Sequence, residues 1–324
     1  MNLLINAALV SVILVTQVWA QADWRPEKQV EIILPTAAGG GNDMVARLIG
    51  KALQEQKLVA TPILVVNKPG GNQALSLAYL SQHAGDPHFL KQGTTTLFTN
   101  QILGLTQTRY VDFPALGLAT IDYGAFMVSV NSPFKTMKDL TDRLKADPES
   151  VAFSVVARGG TSHAVAAMAA KASGVDIKRL KIVVYKTSAE ATTALMGGHI
   201  QASVSSVAGS VPAVVAGHLR MLAIAAPQRK PGAISHVPTL AEQGIDAPIL
   251  ANWRVIFGAR GITPAQIAFW SDALARAFTA DEWKAWTTKN DVSAAPLRGV
   301  ELQKYLEVQY NHTRSVLVEL GIAK

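Results

Sequence analysis

Two turns built from small residues carry the side chains and backbone groups best placed for chemistry. One runs Thr36-Ala37-Ala38-Gly39-Gly40-Gly41 into Asn42, the other Ala157-Arg158-Gly159-Gly160-Thr161 into Ser162 and His163. Each follows a β-branched run, at 30–34 and 151–156, and each opens a stretch of helical periodicity. In the first stretch Met44, Val45, Leu48, Ile49 and Ala52 share a face; in the second Ala164, Val165, Met168, Ala169 and Ala172 do. A strand–turn–helix corner of this kind leaves the first helical N–H groups unpaired at the positive end of the helix dipole. Glycine and alanine let a guest approach that backbone, so the corner takes an anion without a charged side chain. Such charge-assisted hydrogen bonds contribute about 1.5–3 kcal/mol each. Two corners facing one cleft at the carboxyl ends of their sheets would hold a carboxylate from both sides. Gly40-Gly41-Asn42 lies over Gly159-Gly160-Thr161 as one device used twice, with Asn42 or Asp43 as the N-cap of the first helix.

Other polar residues are secondary candidates. Asn72, Thr94, Thr95, Thr187, Ser205 and Ser206 fall at predicted strand ends, where an amide or hydroxyl fixes a guest's orientation or simply closes a turn. Arg158 either pairs with a ligand carboxylate or is solvated, and His163 either touches ligand or packs and caps. The same corners fail the tests for nucleotide enzymes. Gly41-Asn42-Asp43 lacks the lysine of a phosphate-binding loop, and Gly39-Gly40-Gly41 with Val66-Asn67-Lys68 lacks the dinucleotide fingerprint and its acidic residue. The seven histidines show no H-x-x-x-H spacing, and no G-x-S-x-G elbow occurs. No catalytic residue, metal site or cofactor is assigned.

The elements that must position these residues alternate between strand and helix. Predicted strands at 63–66, 125–130, 182–185, 202–205, 221–225 and 255–257 are interleaved with helices at 75–80, 97–103, 137–146 and 189–196. From Pro264 onward the pattern is largely helical, with Ile267, Trp270, Leu274 and Phe278 as a core stripe, and 302–320 is helical again. Alternation of this kind predicts parallel sheets covered on both faces.

Composition agrees. A chain of 324 residues is long enough for two domains, and 49% hydrophobic against 16% charged residues excludes a disordered protein. The net charge of +7 comes from scattered Lys and Arg rather than basic runs, which speaks against nucleic acid and fits a general attraction for anions. Zero cysteines remove disulfides, thiolate metal sites and cysteine nucleophiles. Residues 3–20 are almost uncharged and apolar, interrupted by Asn6 and Gln17, and end in Ala20-Gln21-Ala22. The pattern predicts a secretory signal peptide over 1–22, cleaved after Ala20 or Ala22, although no Lys or Arg precedes the apolar core.

With these residues in hand, the chain resembles the substrate-binding proteins of tripartite tricarboxylate transporters, the Bug receptor family. The resemblance rests on 30–43, on Val66-Asn67-Lys68-Pro69-Gly70-Gly71, and on Gly159-Gly160 with Ser162-His163. It continues through Gly197-Gly198-His199-Ile200-Gln201-Ala202 and Pro238-Thr239-Leu240-Ala241-Glu242-Gln243-Gly244. It implies an α/β, periplasmic-binding-protein-like Venus flytrap whose two α/β lobes are joined by crossing strands. Lobe 1 would comprise 23–126 and 254–324, lobe 2 127–253, with the C-terminal helices returning to lobe 1. It implies a receptor that hands a small carboxylate to membrane permease subunits; the leader pattern makes it periplasmic, the missing motifs make it non-enzymatic, and a monomer is the default expectation. Backbone of the two turns, at Thr36 to Asn42 and Ala157 to His163, would hold one carboxylate. Many relatives carry an acidic residue where this chain has Ser203. Two other readings of the cleft stay open at this point: a ligand-sensing receptor for a two-component sensor, and a cleft enzyme.

Overall fold

β-Branched and apolar residues of Val30–Leu34 form strand β1, fully buried except at Glu31, and the architecture grows outward from it. The computed structural model describes residues 24–323 apart from Gly40, Val156, Ala157, Lys186, Thr187, Asp291 and Ala295. The expected signal segment 1–22 therefore lies outside the described residues. Helix α1 (Gly41–Glu55) leads from β1 to β2 (Ile63–Asn67), and α2 (Ala74–Gln82) leads on to β3 (Phe89–Gly93). β1 pairs in parallel with both β2 and β3, the arrangement expected where helices cross between strands. Helix α3 (Thr96–Ile102) follows the third strand.

Strand β4 (Ala115–Ser129) is the element that joins the halves. Its first part pairs antiparallel with β9 (Ala251–Gly258), and its last residues, from Gly124, pair with β7 (Ala202–Ser206) and β8 (Leu219–Ile224). Register shifts at Ala115/Gly117 and Leu118/Thr120 bend it. The sequence pattern marked only 125–130 as strand, because Gly117, Thr120 and Asp122 break the apolar alternation of the earlier half. Beyond β4 come α4 (Met137–Ala146), β5 (Ala152–Val155), α5 (Thr161–Ala172), β6 (Lys181–Val184) and α6 (Ser188–Met196). β5 pairs in parallel with β6 and β7, repeating the logic of the first sheet. The whole forms one curled sheet in the order β2-β1-β3-β9-β4-β7-β5-β6, with β8 paired on β4.

Helix α7 (Val207–Val215) was not foreseen, since Gly209 and Pro212 read as breakers; Ser206 caps it by accepting from the Gly209 N–H at 3.1 Å. After β9, α8 (Pro264–Ala277) starts at a Thr263–Gln266 capping box and buries Trp270 and Leu274, as its stripe predicts. Then come α9 (Asp281–Lys289), a two-residue strand β10 (Ser293–Ala294) on β4, and α10 (Gly299–Glu319).

The core divides as the sheet does. One apolar cluster takes β1 to the first half of β4 together with β9, α8, α9 and the first turns of α10. Two others flank the second sheet, one on each face. The last helix serves both: Leu302 and Leu306 lie in the first cluster and Val316 in the second, while Lys171 on α5 pairs with Glu319 at 2.6 Å.

Candidate functional site

The first turn leaves β1 at the sheet's carboxyl edge and enters α1. Ala37, Ala38, Gly39 and Gly41 are exposed, and Gly39 has φ +84°, a conformation glycine adopts without strain. Its N–H donates to Asp43 Oδ2 at 3.0 Å. Asp43 is buried and also accepts from Arg47 (2.9 and 3.1 Å) and from Asn67 Nδ2 (3.1 Å), which donates to the Thr36 carbonyl as well. The Arg47 hydrogen bond, helped by the Gly39 and Asn67 donors against the cost of burial, holds the Asp43 carboxyl down at about 2. Because α1 begins at Gly41, Asn42 and Asp43 are its second and third residues and neither is the N-cap. Asn42 instead accepts from Arg254 Nε at 2.8 Å. The Thr36 hydroxyl is buried with no partner among the described residues.

The second turn repeats the first with different side chains. Gly159 has φ +78°, and its N–H donates to His163 Nδ1 at 2.9 Å; α5 begins at Thr161. His163 is buried, and its Nδ1 carries no proton because it accepts from the Gly159 N–H. Burial, and secondarily the Arg158 charge, lower its pKa to about 4. Residue for residue, Gly39 matches Gly159, Gly41 matches Thr161 and Asp43 matches His163. The sequence overlay of Gly40 on Gly159 was therefore one residue out of register, because two adjacent glycines fit either way and only the helix starts decide. In both corners the positive-φ glycine donates to a side chain of its own chain four residues on. The groups left for a guest are the first-turn N–H donors of α1 and α5, which helix geometry leaves without intrahelical acceptors.

The two halves meet at this level. Thr95, at the start of α3, shares a hydrogen bond of 2.9 Å between its hydroxyl and that of Thr161. Thr94 turns the other way: it is buried and accepts from Gln73 Nε2 at 2.5 Å, and Gln73 in turn accepts from the buried Lys91 at 3.3 Å. Asn72 is exposed but bound to Asn100, donating to its Oδ1 and accepting on its own carbonyl, both at 2.5 Å. Thr94 and Asn72 thus brace the turns of the first half. Arg158 is exposed and donates to the Ile182 carbonyl at 3.4 Å. Ser205 is buried in β7 opposite Ala125, whereas Ser206 donates to Asp122 while capping α7. Ser203 is buried against Ser154, their hydroxyls 2.7 Å apart. Gly40, Ala157 and Thr187 lie outside the described residues.

Sequence reasoning missed a polar floor on the crossing strands. On the crossing strands Thr120 pairs with Arg254 and Asp122 with Asn252. Arg254 reaches the first half through Asn42 and also donates to Thr120 Oγ1 at 3.3 Å; Asp122 reaches the second half through Ser206. Burial pulls the Arg254 guanidinium below its ordinary pKa and the Asp122 charge opposes that. The available signal was a lone arginine inside the apolar run Trp253 to Phe257. No group of three or more His, Asp or Glu that could hold a metal ion occurs among the described residues. No helix among them is long and apolar enough to cross a membrane.

Comparison with known proteins places this arrangement. The family model for the tripartite tricarboxylate transporter family receptor, TctC, matches residues 45–322. A UPF0065 protein encoded in the gbd 5' region of Cupriavidus necator is 25% identical over 312 residues, covering 94% of this chain and 91% of that protein. Protein BugT of Bordetella pertussis is 26% identical over 250 residues, covering 75% and 74%. Among solved structures, a TctC solute-binding protein from Polaromonas superposes with TM-score 0.76 at 25% identity, covering 91% of this chain and 99% of that one. An R. palustris protein solved with adipate shares the fold, with TM-score 0.80 at 24% identity and coverage of 92% and 99%.

Proposed function

The chain belongs to the tripartite tricarboxylate transporter receptor family, and from that premise we propose that it captures a small organic carboxylate between its lobes for delivery to membrane permease subunits. The observation that carries this reading is the contact of Thr95 with Thr161, which sets the α5 N-terminus against the turns of the first half. On this reading the first-turn donors of α1 and α5 supply the positive potential that holds the carboxylate. Relatives of the fold have been solved with adipate and with malate, both dicarboxylic acids.

The proposed division is 23–126 with 254–324 for lobe 1 and 127–253 for lobe 2, amended at the end of α10, where Val316 packs into the second core. The ligand-binding residues are the turn backbones of Thr36 to Asn42 and Ala157 to His163, with Thr95 and Ser206 at the rim. The protein works as a periplasmic monomer after loss of its leader, and it has no catalytic step. His163 and Asp43, the titratable groups of the two turns, are already committed to Gly159 and to Gly39 with Arg47.

Thermal melts with a panel of aliphatic mono-, di- and tricarboxylates test the reading. A ligand of the folded form raises the midpoint by mass action, by about 2.7 kcal/mol of added stability at a hundredfold excess over Kd. A flat response across the panel at millimolar concentration would overturn it.

A further inference from the structure

Arg254 is a buried cation for which the chain supplies too little negative charge. It retains 9% of its surface, and among the described residues its acceptors are two neutral atoms, Asn42 Oδ1 and Thr120 Oγ1. Asp122 attracts it only at longer range, and the Asp122 oxygens accept from the Ser206 hydroxyl and the Tyr123 N–H. A guanidinium has five N–H donors in a planar fork suited to a carboxylate, and two of the five are assigned here. The remaining Nη2 edge lies beside the first turn: a Cβ placed on exposed Gly41 would sit 3.8 Å from Nη2. Burying a charge without a close counter-ion is costly. The position is explained if the missing anion arrives with the ligand.

We propose that Arg254 is a specificity-determining residue of the interlobe site, its guanidinium being the charged contact for a carboxylate of the bound acid. This rests on the cleft taking a carboxylate, and it adds a full side-chain charge to what the helix termini provide. It also orders the site: Asn42 holds the fork against α1, so that the free edge and the first-turn N–H groups converge on one anion.

The test uses the full chain and its Arg254→Met and Arg254→Lys variants, with adipate and malate as probes, read by melting and by titration calorimetry. Without acid, Arg254→Met loses its bonds to Asn42 and Thr120 and leaves Asp122 without the charge that attracts it, so the melts serve to establish that each variant is folded before titration. With acid, the affinity of Arg254→Met should fall by at least about 30-fold, and Arg254→Lys, which keeps charge but not the fork, should lie between. A strut tying α1 to the crossing strands would lower the acid-free midpoint and leave the affinity of the folded variants unchanged. Binding within about threefold of the parent by Arg254→Met, or by Arg254→Lys should Arg254→Met fail to fold, overturns the proposal. Should the parent itself ignore every acid, the carboxylate reading falls and takes this proposal with it. A responsive parent matched by Arg254→Met removes this proposal alone.

Discussion

The hydroxyls of Thr95 and Thr161 lie 2.9 Å apart although the residues are 66 positions distant, one at the start of α3 and the other at the start of α5. On the proposed division of the chain, the bond crosses from one lobe to the other at the helix termini. It therefore exists only while the lobes are together. Thr95→Val and Thr161→Val should each weaken acid binding by about fivefold, the worth of one net hydrogen bond. The double variant should be no weaker than either single, since both remove the same contact. Calorimetric titration of the three variants checks this; strictly additive losses would show that the two hydroxyls act separately.

Gly39 and Gly159 hold matching left-handed conformations for a backbone reason. A Cβ on Gly39 would meet nothing within 4 Å, and one on Gly159 only Leu317 and Ile322 at ordinary contact distance. Substitution by alanine should nonetheless destabilise each site by about 1–2 kcal/mol, because φ is positive. Gly39→Asn should recover much of the loss, asparagine tolerating this region. Urea midpoints of the alanine and asparagine variants decide the matter, and equal losses for both would point to crowding instead.

Acid should loosen the second turn before the first. His163 titrates at about 4 in the fold against an ordinary 6.5, so between those values the unfolded chain binds the extra proton. Stability then rises with pH across that window and is lost as pH falls through it. His163→Gln offers an oxygen to the Gly159 N–H without a titrating ring. Its melting temperature should be flatter between pH 4 and 6.5 than the parent's. An unchanged slope would assign the acid sensitivity to other groups. Asp43, held near 2 from an ordinary 3.8, contributes stability that is full above 3.8 and fades only below it.

Lys91 should respond at the alkaline end. It is fully buried in β3, donating to Gln73 and to the Gln92 carbonyl, and burial lowers it from 10.5 to about 7. Between those values the unfolded chain holds more protons, so stability climbs as pH rises from about 7. Lys91→Met should raise the melting temperature at pH 7 and abolish the climb. A lower midpoint for the variant would mean that the ammonium's two hydrogen bonds outweigh its desolvation.

What could be read from the residues alone was what is local. β1, its turn and α1 announce themselves because four apolar residues around Glu31 give way abruptly to Ala and Gly and then to helical spacing; β5 and α5 do the same. The Thr95 contact and the floor were not legible, since they depend on register between strands far apart in the chain. Asp122 disguised the first half of β4 by interrupting its apolar pattern, and Arg254 gains meaning only once Thr120 and Asn42 are beside it. The brace between Asn72 and Asn100 was likewise hidden, because it needs two turns whose proximity only the sheet order provides.

The final helix imposes a mechanical rule on the receptor. Its early turns are rooted by Leu302 and Leu306, and its end is rooted by Val316 and the Lys171–Glu319 pair, with Leu317 and Ile322 beside Gly159. A rod fastened to both jaws forbids them from drifting straight apart. Any motion that separates the two cores has to bend this helix or part its last turns from one of them, and those turns back the Gly159 corner.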